Sequence, residues 1–408
     1  MTPVSWEEAL PSVLALARPK RGDEVPLLEA HGRVLAVDVR ADRPFPPFPR
    51  AAMDGYALRW TEGCGRTPLP VAATLPAGAV LPGEIPAGSC VRVFTGAALP
   101  PFLDTVVPFE ETADGGESVL FTSPVARGQH VAAAGEDARE GALLVAAGTL
   151  LFPRHVALLA AAGMARVPVF GRPSTAVAAT GGELVEPGEE AAGPFIRNSN
   201  GPMVLSALAA AGFSGTTCLG ILPDDRELLR EGLAAGLRSD LLVVTGGVST
   251  SDADLVPGVL RDLGVRPVVH RVAIQPGKPL YAGVAPGGSV VLGLPGNPVA
   301  AMLHLGMVVL PFLRKASGAR ECLPRPILLP LASEARNRGG RKKFVPARLE
   351  TDGGVTRVVE IPSHGSGDLV SASRADGVFE IGAAVPSLPA GSVVPFHPCW
   401  GELLAPEP

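Results

Sequence analysis

The side chains of this 408-residue chain that could do chemistry are carboxylates set among glycines and a few cations held between prolines or glycines. Asp54 sits in Ala52-Met53-Asp54-Gly55-Tyr56-Ala57, behind the proline run Asp42–Pro49, and Glu183 follows Gly181-Gly182. Asp137 ends Ala134-Gly135-Glu136-Asp137, Asp224 and Asp225 are adjacent, and Asp252 and Asp254 follow Gly246-Gly247. Each has a plain reading: Asp-Gly is first of all a turn, Gly-Glu-Asp a solvated turn, and at least one of Asp224 and Asp225 a helix cap. Taken together, carboxylates without paired His or Cys suit a hard cation, with Mg²⁺ as first candidate. Gln275-Pro276-Gly277-Lys278-Pro279 places one of five lysines between prolines, which favours a positioned charge. Arg338-Gly339-Gly340-Arg341-Lys342-Lys343-Phe344 is the one dense basic cluster, either a solvated loop or an anion site. Carboxylates, lysine, arginine and glycine-rich turns in one chain favour a phosphorylated or oxyanionic substrate bridged by a metal. Ser363-His364-Gly365-Ser366-Gly367 offers a serine beside a histidine, but no glycine-flanked serine elbow follows a strand, which argues against hydrolase chemistry. No G-x-G-x-x-G follows a strand either, which argues against an NAD enzyme.

The elements that must hold these groups are legible around Leu292-Gly293-Leu294-Pro295-Gly296-Asn297-Pro298. Ser289–Leu292 is an apolar run fit for a buried strand, and Val299–Leu313 reads as a helix beginning behind a proline. A strand, tight turn and helix in that order is either an ordinary βα turn or an oxyanion site at a helix start. Residues 171–316 alternate in the same way. The strand-like runs Thr175–Ala179, Thr216–Gly220, Leu241–Val244 and Val268–Ile274 are interleaved with helical runs Asn200–Ala211, Asp225–Leu237 and Asp254–Leu263. That alternation predicts an α/β domain with a mostly parallel sheet, helices on both faces and a ligand at the carboxyl ends of the strands. Thr180–Glu183, Thr245–Ser249 and Pro295–Pro298 all fall at those ends.

Elsewhere, residues 5–18 carry a helical pattern with Ser5 as N-cap and Glu8 closing a capping box. Short runs such as Val71–Leu75, Cys90–Phe94 and Thr105–Phe109, punctuated by Pro and Gly, predict a β module, followed by a helix over Arg154–Gly163. Residues 320–408 predict a small barrel or sandwich. The expected domains are 1–43 with 129–170 as an N-terminal linker and dimerisation part, 44–128 as an inserted β module, 171–318 as the α/β domain, and 319–408 as a C-terminal β-barrel.

Composition excludes several classes. A net charge of −5 and a pI near 5.9 argue against a nucleic-acid binder. Hydrophobic content of 47% and mean hydropathy of +0.29 raise the question of a membrane. The longest apolar stretches, Gly141–Leu151 and Val299–Leu313, fall short of the roughly 18 residues a spanning helix needs. With no signal peptide in Met1–Glu8, a cytoplasmic protein is expected. Five cysteines without a CxxC pair are expected to be buried thiols.

In this order the motifs resemble the MoeA family, the molybdopterin molybdenumtransferases, which includes the E domain of gephyrin. The matching stretches are Pro44–Ala57, Thr95–Ala97, Gly135–Asp137, Thr180–Leu184, Asn198–Asn200, Gly246–Asp254, Pro276–Pro279, Gly293–Pro298, Gly340–Phe344 and Ser363-His364. The resemblance implies a homodimer whose site lies between the α/β domain of one subunit and the N-terminal β module of the other. It implies that adenylylated molybdopterin and molybdate bind with Mg²⁺, that AMP is released, and that molybdenum passes to the dithiolene sulfurs. A molybdopterin adenylyltransferase would act upstream.

Carried over, Asp54, Asp137, Glu183, Asp224 and Asp254 would hold Mg²⁺ (Glu183 and Asp254 as its ligands) or orient water. Thr95 would support the phosphate side and Lys278 would neutralise phosphate. Gly246, Gly247, Ser249, Arg271, Gly296 and Asn297 would bind the molybdopterin substrate. Pro295, Pro298, Arg341 and Ser363 would form the molybdate pocket. Three positions depart from the family pattern: Gly182 replaces the aspartate of Thr-Gly-Asp-Glu-Leu, Gln275 a basic residue, and Ser251 a glycine. An enzyme with altered metal affinity is therefore expected. The alternatives are a non-catalytic gephyrin-like scaffold and a tungstate-using homologue.

Overall fold

The computed structural model describes residues 2–248 and 255–399. Ser249, Ser251, Asp252 and Asp254 therefore lie outside the described residues. The chain forms two compact units. One comprises Met1–Ala36, Gly148–Phe152 and Val167–Pro408, the other Val37–Ala147 and Pro153–Arg166.

In the larger unit the central sheet has six strands, in the order Thr217–Leu222, Thr175–Thr180, Leu241–Thr245, Val290–Leu294, Tyr281–Val284 and Arg266–His270. The first four are mutually parallel. Tyr281–Val284 runs antiparallel to them and to Arg266–His270 beyond it, so the sheet is mixed. The reason is connection length: residues 285–289, with Gly287-Gly288, join two strands by a turn too short for a crossover, and a short turn makes a hairpin. The run expected as one strand over Val268–Ile274 is broken after His270, where Arg271 takes φ +80°. Its remainder, Ile274–Gln275, pairs in parallel with Lys342–Lys343 of the C-terminal domain.

Side-chain alternation along the central strand builds a core on each face. Leu241 and Val243 pack with Val204, Leu208, Leu303 and Val308, whereas Leu242 and Val244 pack with Leu229, Leu233, Val259 and Leu260. The helix Trp6–Leu14 joins the first core through Trp6, Ala9, Leu10, Val13 and Leu14. Ser5 caps it by accepting from Glu8 N–H at 3.2 Å.

The apolar run after Pro298 is longer as a helix than its sequence suggests. Pro298–His304 continues through a π-helical turn, Leu305–Val309, into Leu310–Ala316. At 19 residues with mean hydropathy 1.5 it is long and apolar enough to cross a membrane, correcting the expectation from length. Its apolar surface has another use: 78% of that stretch is buried inside the fold.

The C-terminal domain is a small barrel. Lys342–Asp352 pairs with Val355–Glu360 and Gly377–Ile381, which continues to Val393–His397 and Ile327–Pro330. A parallel bridge from Leu331 to Val358 closes the ring around Val345, Val358, Phe379 and Phe396.

The smaller unit holds a six-stranded sheet in the order Thr105–Pro108, Gly55–Leu58, Cys90–Val93, Leu69–Leu75, Ser118–Phe121, Thr112–Asp114, and the helix Pro153–Ala161. All five cysteines are free, and Cys90 is the one fully buried. Cys218 is exposed, against expectation, because Thr217–Leu222 is an edge strand of the central sheet.

Candidate active site

The register of the parallel strands levels their carboxyl ends. Ala179 stands opposite Thr245, and Thr245 opposite Leu294, so the three turns that follow lie side by side. They form one wall of a cavity of about 1220 Å³ within the larger unit. Thr180, Gly181 and Glu183 come from the first turn, Thr245, Gly246 and Gly247 from the second, and Pro295, Gly296, Asn297 and Pro298 from the third. Gly246 permits this closeness: it has φ +86°, and a Cβ there would fall 2.4 Å from the Thr180 carbonyl oxygen.

The C-terminal barrel supplies the facing wall, with Arg341, Lys343, Glu360, Ser363 and Ser366. Two contacts stitch it to the third turn: Asn297 Nδ2 donates to Ser366 Oγ at 2.8 Å, and Val299 N–H donates to Ser366 O at 3.1 Å. Asn297 therefore precedes a helix without capping it through its side chain. Asn200, 8% exposed, supports the same turn by donating Nδ2–H to Gly296 O at 2.8 Å. The Pro276–Pro279 loop enters beside these, and its strand pairing with Lys342–Lys343 places Lys278 and Arg341 on the same cavity.

Charge partitions unevenly in the basic cluster. Lys342 reaches Glu380 at 2.9 Å and Glu7 at 3.0 Å. Burial alone would lower its pKa, but the hydrogen bonds to Glu380 and Glu7 outweigh it and raise it above the ordinary lysine value. Lys343 lies 3.8 Å from Glu360. Among the described residues Lys278 and Arg341 have no acidic partner. Two cations without counter-charge among the described residues, at one cavity of an acidic protein, suit an anion.

On the acidic side, Glu183 and Asp224 both line the cavity. Asp224 accepts the Gly182 N–H at 2.7 Å. A Cβ at Gly182 would lie 3.2 Å from the same oxygen, so the glycine leaves Asp224 room. Asp225 is the helix cap, accepting from Glu227 and Leu228 N–H at 3.0 Å each. The neighbours thus divide the work, and two substitutions separate them. Asp225→Ala is expected to cost about 1 kcal/mol of stability with little change in turnover. Asp224→Ala is expected to lower turnover while leaving the melting temperature nearly unchanged. Thermal melts and activity assays on both check this.

No group of three His, Cys, Asp or Glu side chains able to hold a metal occurs among the described residues. Glu183 and Asp224 are nevertheless an oxygen-only pair of the kind that holds Mg²⁺ when substrate phosphate and water complete its shell.

Asp54, Thr95 and Asp137 belong to the smaller unit. There Gly55 pairs with Val93, which sets Asp54 beside Thr95. Thr95 donates both N–H and Oγ–H to Asp54 Oδ1 at 2.7 Å. First the backbone bond and then the side-chain bond hold the Asp54 carboxyl below its usual pKa. Asp137 is exposed, and its N–H donates to Phe45 O at 2.9 Å. Arg271 lies outside the cavity lining, in the turn after Arg266–His270.

Sequence reading passes over Arg197, weighs Ser366 only as a partner for His364, and meets His304 only as a break in an apolar run. Arg197 and Ser366 line the cavity. His304, fully buried, holds Gly277 O at 2.7 Å. Its signal was its place as a polar interruption of the Val299–Leu313 apolar run.

Known proteins match most of the chain. Residues 4–163 match the MoeA N-terminal region (domain I and II), 176–315 a probable molybdopterin binding domain, and 329–399 the MoeA C-terminal region (domain IV). A molybdopterin molybdenumtransferase of Synechococcus elongatus is 35% identical over 347 residues, covering 82% of this chain and 84% of the relative. Molybdopterin molybdenumtransferase 1 of Mycobacterium tuberculosis is 34% identical over 373 residues, 85% of this chain and 86% of the relative. The crystal structure of the molybdopterin biosynthesis MoeA protein from Pyrococcus horikoshii OT3 superposes with a TM-score of 0.81 at 31% identity, over 97% of this chain and 99% of that one. The chain belongs to the MoeA family of molybdopterin molybdenumtransferases.

Proposed function

We propose that this enzyme of molybdenum cofactor biosynthesis takes adenylylated molybdopterin and molybdate as substrates, releases AMP, and leaves molybdenum on the dithiolene sulfurs. The observation that carries the reading is the meeting, in one cavity, of the carboxylates Glu183 and Asp224 with Lys278 and Arg341, two cations that have no acidic partner among the described residues. Lys278 neutralises phosphate. Arg341 and Ser363, across from Pro295 and Pro298, hold the tetra-oxo anion, for which a guanidinium fork and a hydroxyl are suitable donors. Glu183 and Asp224 would hold Mg²⁺, with Asp254 as a further ligand by resemblance. When bound, the metal supplies charge neutralisation at the phosphoanhydride. Gly246, Gly247, Gly296 and Asn297 leave the backbone open to the substrate. Asp54, Thr95 and Asp137 are kept in the acidic set by resemblance, and Ser249 and Arg271 in the substrate-binding set.

The test is AMP release from adenylylated molybdopterin with molybdate and Mg²⁺. Release above a metal-free control is expected, and its absence would reject the proposal. Crystals soaked in molybdate are expected to show density beside Arg341 and Ser363. The homodimer is part of the same proposal, and light scattering is expected to report twice the 41.7 kDa chain mass. The adenylyltransferase expected upstream would supply the adenylylated substrate.

A further inference from the structure

The helix that starts at the Pro295–Pro298 turn reaches the cavity-lining Pro276–Pro279 loop through His304, six residues and roughly 9 Å further on. His304 is 0% exposed, and its Nε2 lies 2.7 Å from the carbonyl oxygen of Gly277. A carbonyl only accepts, so Nε2 carries the proton and donates. Gly277 is itself shaped for this contact: it takes φ +96°, and a Cβ there would come within 2.7 Å of Nε2. On the other side of the loop, Val272 N–H donates to Lys278 O at 2.9 Å. The backbone around Lys278 is therefore gripped from two directions, while its side chain remains exposed at the cavity.

We infer that His304 is a positioning residue for anion binding. Its buried Nε2–H fixes the Gly277 carbonyl and so holds Lys278 in place relative to the Pro295–Pro298 turn at the head of its own helix. The inference rests on the proposed role of Lys278. A histidine that merely satisfied a buried carbonyl would affect stability alone. One that aims Lys278 affects binding of the phosphate-bearing substrate, because a cation displaced by about 1 Å loses much of its effect on the charged group it faces. Lys278 has no second cation within its own loop to take over the work.

The experiment uses the full chain and measures melting temperature, KM for adenylylated molybdopterin and kcat for AMP release in four variants. His304→Leu removes the donor at similar size, and His304→Gln keeps an N–H at nearly the same reach. Lys278→Ala, alone and combined with His304→Leu, closes a double-mutant cycle. His304→Leu is expected to raise KM for adenylylated molybdopterin about tenfold with a smaller change in kcat. His304→Gln is expected to stay within about threefold of the parent, and His304→Leu to add little once Lys278 is gone. An unchanged KM in folded His304→Leu, or an undiminished effect in the Lys278→Ala background, overturns the inference. Should His304→Leu not fold, His304→Met against His304→Gln makes the same comparison. Full AMP release by Lys278→Ala alone is a different result, and it would sink the functional reading instead.

Discussion

Replacing Lys278 or Arg341 by alanine is expected to reduce AMP release about 10²- to 10³-fold each, the scale seen when a preorganised donor is removed from developing oxyanion charge. Both line the cavity, and among the described residues neither has an acidic partner to absorb its charge. Lys342 is the internal control. It lies in the same basic cluster but is committed to Glu380 and Glu7, so Lys342→Ala is expected to lower stability more than catalysis. Arg341→Lys should recover only part of the loss, because an ammonium cannot present the planar fork of a guanidinium. Steady-state AMP release in the four variants, each checked for a folded melt, decides the matter. Equal activity in Arg341→Ala and the parent would place the anion elsewhere.

Acid is expected to destabilise the larger unit through His304. Burial pushes its pKa down from 6.5 to about 4, opposed only in part by the Gly277 and Pro279 backbone. Above pH 6.5 the ring is neutral in both folded and unfolded chains, and the native state has its full stability. As pH falls from 6.5 towards 4, the unfolded chain takes up a proton that the folded chain refuses. Stability then declines by about 1.4 kcal/mol per pH unit, roughly 3 kcal/mol in all. Below about pH 4 the folded ring takes its proton as well, and this contribution levels off. Denaturant melts at intervals between pH 7 and 4 should show the decline in the parent. In His304→Leu the same interval should be flatter by about that amount. An equal slope in both proteins would show that other groups carry the acid sensitivity.

Much of the architecture was legible because it rests on periodicity and punctuation, which are local properties. The alternation across residues 171–316 announces four of the central strands and the helices between them, and Asp225 caps its helix as its position suggests. The proline-headed apolar run after Pro298 announces the core helix, and the run of glycine-bounded polar turns announces where a ligand would sit. What local pattern cannot convey is pairing at a distance. Nothing near Ile274-Gln275 says that it will leave the central sheet and pair with Lys342-Lys343, yet that pairing brings Lys278 and Arg341 to one cavity. The same holds for charge. Arg341, Lys342 and Lys343 are neighbours of like composition, and only folding gives the two lysines carboxylates from Glu7, Glu380 and Glu360 while Arg341 meets none among the described residues.

The residue types thus set the elements and the kinds of chemistry available, because helix, strand and turn preferences act within a few residues of one another. Tertiary structure chose which cations of the basic cluster gain carboxylate partners, turned the Asn297 side chain towards Ser366, and buried His304 against Gly277. Those outcomes depend on desolvation and on hydrogen bonds between segments tens of residues apart, and such terms do not exist until the chain has closed on itself.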